Sequence, residues 1–144
     1  MVDTKPGCNS TYYVNHWNNI YGSGSHVGVQ EWHISYKEVK VALDPYIKAS
    51  CRRVNDAALE IIDVGCGRSN IGRDILRDYH MTKLLLTDYS STVVEDLRAL
   101  FANDPCVDVL EADCRNMSFR KNGSVPVLLD KGTLDALVGE TDQL

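Results

Sequence analysis

The fold of this chain is decided by residues 59–67, which read LEIIDVGCG. A short apolar run that ends in a glycine turn predicts a buried β-strand. Gly65 and Gly67 lack a Cβ, so they let the backbone come close to a ligand at the end of this strand, where any Cβ is expected to clash.

Downstream of this turn, strands and helices alternate. Further strands are predicted over 83–87, 107–110 and 125–129, and helices over 71–79, 92–101 and 133–138. Thr92 and Glu95 have the spacing of a capping box for the second of these helices, with Leu100 on its apolar face. Alternating strands and helices of this length predict βαβ units, so the fold class is α/β with a Rossmann-like parallel sheet of four strands.

Upstream of the sheet, a helical segment is expected. Residues 1–10 are predicted to be a flexible tail, and Tyr13, Trp17 and Tyr21 then recur at helical spacing until the Gly-Ser stretch 22–25 ends the helix.

A second helix follows this N-terminal segment. Ser35 and Glu38 form a capping box that opens it, and Pro45 is expected to bend or end it.

Length and composition limit the class of protein. The chain has 144 residues, with 44% hydrophobic and 24% charged content, which predicts one globular domain over residues 11–144. A net charge of −5 disfavours a nucleic-acid partner. There is no apolar run of about 18 residues, so no membrane association is expected. The absence of a signal pattern predicts a cytoplasmic protein.

The five cysteines are widely spaced and include no CxxC pair. They are expected to be reduced and mostly buried, and no metal site is predicted.

Acidic residues end or follow all four predicted strands: Asp63, Asp88, Asp113 and Asp130. Because ligands of open parallel sheets bind beyond the carboxyl ends of the strands, this rim is the predicted site. Asn70 stands where a dinucleotide fingerprint requires a third glycine, and no Gly-Lys-Ser/Thr follows. Both NAD and a P-loop nucleotide are therefore disfavoured.

The pattern of acids favours a cationic adenosine compound. The carboxylate of Asp88 can accept two hydrogen bonds from a ribose diol, and Asp113 can accept one from the adenine amine. A ribose without phosphate in an acidic pocket points to S-adenosylmethionine as the cofactor. The alternative is that Asp88 and Asp113 cap the helices that follow them.

Two motifs carry a resemblance to a known family. Residues 61–69, IIDVGCGRS, and residues 129–137, LDKGTLDAL, resemble the class I, seven-strand S-adenosylmethionine-dependent methyltransferases. The second motif is typical of the protein-lysine methyltransferases that act on elongation factor 1-alpha and on mitochondrial citrate synthase. Further upstream, the branch is matched by Trp17, Tyr21, Glu31, Trp32 and Tyr36.

The resemblance implies a role for individual residues. An aromatic lid over the cofactor is implied for Trp17, Tyr21 and Trp32, and contact with its methionine part for Gly65, in the turn formed with Asp63, Cys66 and Gly67. The ribose and adenine are assigned to Asp88 with Tyr89, the adenine edge to Asp113 with Cys114, and a position beside the cofactor to Lys131. Aromatic faces attract a sulfonium cation, although the same rings can instead pack the first helix into the core.

The implied reaction is methyl transfer to a lysine amine of an elongation factor 1-alpha-like protein. Asp130 is the candidate catalytic residue, and two roles are open for it. Its carboxylate either orients the acceptor amine or holds the amino group of the cofactor.

The resemblance also predicts that residues 11–144 are a methyltransferase domain truncated after the fourth strand, since the family's sheet has three further strands. An open apolar edge over 125–129 and weak cofactor binding are expected. Alternatives are a non-catalytic binding module and a methyltransferase of small molecules, nucleic acid or another protein. An NAD(P)-dependent oxidoreductase and a serine hydrolase based on Ser69 are disfavoured.

Overall fold

A computed structural model describes residues 10–23, 30–53, 59–79 and 82–139. In chain order its elements are α1 (Ser10–Gly22), α2 (Tyr36–Arg53), β1 (Leu59–Val64), α3 (Ile71–Asp78), β2 (Thr82–Asp88), α4 (Ser91–Leu100), β3 (Val107–Glu111), β4 (Val127–Asp130) and α5 (Thr133–Gly139). The predicted order of elements is confirmed, with β4 starting at Val127 rather than at Val125. Of the predicted tail 1–10, residues 1–9 lie outside the described residues and Ser10 already belongs to α1; residues 24 and 25 of the Gly-Ser stretch also lie outside them.

The four strands form one parallel sheet in the order β3-β2-β1-β4. In register, Ile62 of β1 lies opposite Leu85 of β2 on one side and Leu128 of β4 on the other. The chain therefore leaves β1 toward one edge of the sheet and later returns to its opposite side. Such a change of direction is the place where α/β sheets bind ligands. The predicted fold class is confirmed.

The two faces of the sheet are covered unequally. The larger core joins the first four helices to one face, and it includes Tyr36 and Ile47 of α2, Ile75 of α3 and Val93 of α4. The smaller core on the other face centres on three buried side chains: Ile62, Val64 and Leu85. Helix packing on the first face holds the carboxyl ends of the strands in place.

Helix α2 is continuous through Pro45, so the predicted end there is wrong, whereas the predicted bend stays a prediction. The missing proline N–H leaves the carbonyl of Val41 without a helical partner, and Val41 is 82% exposed, so water can satisfy it. The Glu38 half of the capping box is confirmed, since Glu38 Oε2 accepts hydrogen bonds from the Ser35 N–H (2.8 Å) and the Ser35 hydroxyl (2.6 Å). The N–H of Glu38 donates to the carbonyl of Ser35 rather than to its hydroxyl.

Helix α4 begins earlier than predicted. Ser90 is its N-cap, with Oγ accepting from the N–H of Val93, so the assignment of Thr92 was wrong. Leu100, placed on the apolar face, is 55% exposed.

The expectation of mostly buried cysteines was also wrong. Of the four that the structure describes, all are free thiols, Cys66 is buried, Cys51 and Cys114 are half-buried and Cys106 is exposed.

Two features are absent from the described part of the chain. No helix there has the length and apolar character needed to cross a bilayer. No group of three or more metal-ligating side chains occurs among the same residues.

Candidate cofactor site

An open cavity of about 260 Å³ lies at the carboxyl ends of the four strands. It brings together most of the predicted site residues: Trp17, Tyr21, Trp32, Gly65, Asp88, Tyr89, Asp113, Cys114 and Lys131. The remaining predicted residues, Asp63, Cys66, Gly67 and Asp130, are not part of its lining. The cavity joins segments from both ends of the described chain.

The glycine turn after β1 is confirmed, with positive φ angles of 59° at Gly65 and 54° at Gly67. What approaches these glycines, however, is the chain itself. A Cβ on Gly65 would lie 2.1 Å from Oγ1 of Thr133, and one on Gly67 would lie 2.6 Å from the hydroxyl of Tyr21. Thr133 also donates a hydrogen bond to the carbonyl of Val64 (2.8 Å). The glycines thus let α1 and α5 close against the end of β1.

Asp88, at the end of β2, is buried and held by backbone donors. Its Oδ2 accepts from the N–H of Gly67 and its Oδ1 from the N–H of Ser90, both at 2.9 Å. Burial raises the pKa of this carboxyl, while these hydrogen bonds oppose the rise. The backbone of Tyr89 also hydrogen-bonds to this carboxylate, and since a carboxylate has about four acceptor positions, at least one remains for a ligand. Because Ser90 is the cap of α4, the alternative that Asp88 caps that helix is wrong.

Asp113 has a different environment. Arg115 donates to its carboxylate from the backbone N–H and from the guanidinium, with Nη2 2.5 Å from Oδ2. This pairing holds the pKa of Asp113 below its usual range. No helix follows it within the described residues 114–126, so the capping alternative is wrong here too. A ligand amine would share this carboxylate with Arg115.

Asp63 is buried in β1, behind the cavity. Burial raises the pKa of its carboxyl to about 7, against the attraction of Lys131 and together with repulsion from Asp88 and Asp130. The residue is 4% exposed and does not line the cavity, so its predicted contact with the cofactor stays a prediction.

The predicted aromatic group is assembled at the cavity. The rings of Trp17 and Tyr21 stack at 5.9 Å, and Trp17 meets Trp32 edge-on at 6.2 Å. Tyr21 is 6% exposed and also belongs to the main core, whereas Trp32 is 43% exposed. Burial raises the pKa of Tyr21 to about 12, so its hydroxyl is protonated. Tyr21 is therefore a core residue that also lines the cavity, and the lid role implied for it stays a prediction.

The segment that carries Trp32 is anchored by Glu31. Its carboxylate accepts from the N–H of Asn70 (2.6 Å) and the hydroxyl of Ser69 (2.9 Å). Lys131 pairs with the same carboxylate at 3.2 Å and donates to the carbonyl of Trp32 (2.9 Å). Lys131 thus connects the end of β4 to the aromatic group.

Asp130 lies outside the cavity lining. Its Oδ1 accepts from the N–H groups of Thr133 (3.2 Å) and Leu134 (3.3 Å), so it caps the start of α5. The two roles considered for Asp130 stay predictions.

Two titratable lining residues, His33 and Asp135, were missed from the sequence. His33 Nε2 lies 3.2 Å from Oδ2 of Asp135, and both side chains are more than half exposed. His33 has a positive φ of 65°, which is unusual for a residue other than glycine. Asp135 belongs to the LDKGTLDAL motif, but its distance from the strand end concealed its place in the cavity.

Comparison with known proteins matches residues 61–140 to the family described as "Methyltransferase domain". This chain belongs to that family. The methyltransferase prediction is confirmed at that level, with S-adenosylmethionine as the cofactor of the family.

Curated relatives agree with the predicted branch. The chain is 32% identical to EEF1A lysine methyltransferase 4 of Bos taurus over 130 residues, which are 90% of this chain and 47% of that protein. It is 30% identical to citrate synthase-lysine N-methyltransferase CSKMT, mitochondrial, of Danio rerio, over 85% of this chain and 53% of that protein. The chain thus spans about half the length of these relatives.

Among solved structures, magnesium protoporphyrin IX methyltransferase (ChlM) of Synechocystis PCC 6803 with bound SAM is 17% identical. It aligns over 88% of this chain and 58% of that chain with a TM-score of 0.43.

Proposed function

We propose that this chain binds S-adenosylmethionine in the strand-end cavity and takes part in methyl transfer to a lysine of a protein substrate. One observation carries the proposal. The cavity combines a buried, backbone-held carboxylate, Asp88, with the aromatic rings of Trp17, Tyr21 and Trp32. The first suits a ribose diol, and the second suits a sulfonium cation.

The residues present fit this cofactor. Asp88 is held by backbone N–H donors and has acceptor capacity left for a ribose hydroxyl. Gly65 offers a backbone surface for the methionine part. Tyr89, Cys114 and the shared carboxylate of Asp113 line the adenine end.

When bound, the cofactor supplies an electrophilic methyl group on a sulfonium. The chain's own contribution is then to position the acceptor and exclude water. A lysine amine must lose its proton first, which costs about 4–5 kcal/mol at pH 7 from a reference pKa of about 10.4. A cleft walled by Trp17 and Trp32 lowers that pKa by desolvation.

An elongation factor 1-alpha-like protein is the proposed substrate, because relatives at about 30% identity are named as lysine methyltransferases of EEF1A. A cytoplasmic location is part of the same proposal. The mitochondrial citrate synthase enzyme among the relatives defines the competing case.

The test is calorimetry of the full chain with S-adenosylmethionine and, separately, with NAD. Binding of the first and not the second is expected, and the reverse result would favour an oxidoreductase. Asp88→Asn is expected to weaken binding about tenfold or more, since it replaces a charged acceptor. Asp108→Asn, an equal charge change on an exposed residue of β3, is the matched control and should not alter it.

Transfer is tested with tritiated S-adenosylmethionine and recombinant elongation factor 1-alpha or citrate synthase. Label on lysine of the elongation factor supports the proposed substrate, whereas label on citrate synthase alone replaces it. Cofactor binding without transfer to either protein would favour the non-catalytic binding module.

A further inference from the structure

We infer that Asp135 binds the cationic amine of the acceptor, with His33 as its positioning residue, an inference that rests on the proposed function. The pair lies in the cavity wall formed by α5 and the segment 30–35. It would bind the amine as an ammonium ion on arrival and, after the proton is lost to solvent, accept an N–H from the neutral amine beside the methyl that is transferred. Asp130, the acid suggested by the sequence, does not line the cavity.

The inference depends on the partners and the exposure of the carboxylates that line the cavity. Asp88 is 5% exposed and bound to the N–H groups of Gly67 and Ser90. Asp113 is paired with Arg115 through backbone and side chain. Asp135 has an exposed side chain, and His33 is its partner among the described residues. It is the lining carboxylate with acceptor capacity facing solvent.

The geometry of His33 places this carboxylate. The ring of His33 packs over Gly132, where a Cβ would lie 2.9 Å from Cδ2 of the imidazole. Nε2 of the imidazole lies 3.2 Å from Oδ2 of Asp135, so one carboxylate oxygen faces the ring and the other is left for an N–H of the acceptor amine. A positive φ at His33 is a backbone conformation that costs free energy and is often found in binding sites.

The position also suits an acceptor amine. Asp135 is two residues beyond Thr133, which is hydrogen-bonded to the end of β1 beside Gly65, where the methionine part of the cofactor is proposed to lie. Trp32, next to His33, borders the same wall. An ammonium group between this ring and the carboxylate gains a charged hydrogen bond and a cation–π contact.

The test is a binding measurement that needs no acceptor protein. Sinefungin replaces the methylsulfonium of the cofactor by a carbon carrying an ammonium group, whereas S-adenosylhomocysteine has a neutral sulfur. Calorimetry gives the affinity ratio of sinefungin to S-adenosylhomocysteine for the full chain. Asp135→Asn is expected to lower this ratio about fivefold, and His33→Asn, which tolerates the positive φ, about twofold. Asp108→Asn should leave it unchanged.

The affinity ratio of S-adenosylmethionine to S-adenosylhomocysteine is the second measurement. A sulfonium has no N–H to donate, so Asp135→Asn should lower this ratio less than the sinefungin ratio. Equal sinefungin ratios in the wild-type and Asp135→Asn chains would overturn the inference and leave the proposed function intact. An equal fall of both affinity ratios in Asp135→Asn would also overturn it, because the loss of a negative charge near the site would then explain both changes. No binding of any of the three ligands would overturn both proposals.

Discussion

The two walls of the cavity are built in different ways. The strand wall, formed by Gly65, Asp88 and Asp113, has its carboxylates held by backbone N–H groups or by a guanidinium. The helix wall, formed by Trp17, Trp32, His33 and Asp135, is held by ring contacts and ion pairs between side chains. Trp32 is 43% exposed, and the side chains of His33 and Asp135 are more than half exposed.

We infer from this difference that the two walls serve different parts of the ligand. Backbone donors at strand ends do not rearrange, so they suit a ligand part that is always the same, such as adenosine. The side chains of segment 30–35, which Glu31 anchors, and of the short helix α5 can differ without changing the sheet. They suit the part of the site that selects an acceptor.

The largest effect is expected where the two walls meet. Gly65→Ala places a Cβ against Thr133 at a positive φ, and the combined clash and strain should lower the free energy of unfolding by about 3 kcal/mol or more. Chemical denaturation measures this. Gly123→Ala is the matched control, because Gly123 also has a positive φ (72°) but no atom within 4 Å of a Cβ. Equal losses in both variants would show that contact with Thr133 contributes nothing.

An intermediate effect is expected behind the strand wall, at Asp63. Its pKa rises from 3.8 in the unfolded chain to about 7 in the folded one, because of burial. Between these values the folded chain retains a proton that the unfolded chain has lost. The free energy of unfolding therefore falls as pH rises through this window and levels off above about 7.

Asp63→Asn should remove this dependence. The variant is expected to gain about 1–3 kcal/mol over the wild type at pH 8 and nothing near pH 3, measured by denaturation at a series of pH values. Asp108→Asn provides a control without a buried carboxyl. A gain that is constant across all pH values would contradict the assignment.

The smallest effect is expected on the helix wall. Glu31→Gln removes the ion pair with Lys131 and weakens the anchor of Trp32, so the affinity for S-adenosylmethionine should fall about threefold. Calorimetry beside Glu95→Gln, an exposed glutamate of α4, tests this. An unchanged affinity would mean that Trp32 keeps its place without Glu31.

The strand wall was largely predictable from sequence. A buried strand with a glycine turn and an acid at the next strand's end are local patterns, and the parallel sheet brings them to one rim. Even there, the reason for Gly65 was not visible, since Thr133 approaches it from 68 residues away along the chain. The capping error at Thr92 has the same origin, because the hydroxyl of Ser90 is held by Asn18, 72 residues away along the chain.

What the sequence determined by itself is the order of strands and helices, the glycine turn and the acidic strand ends, since each depends on neighbours within a few residues. Tertiary structure alone decided which acids remain available to a ligand. Arg115 pairs with Asp113, and backbone N–H groups donate to Asp88. Asp130 caps α5, whereas Asp135 faces the cavity beside His33. The physical reason is that a carboxylate's role depends on which donors reach it and how much water remains around it. For Asp88 and Asp135 a partner comes from a distant segment, whereas Asp113 and Asp130 are bound by neighbours two to four residues away.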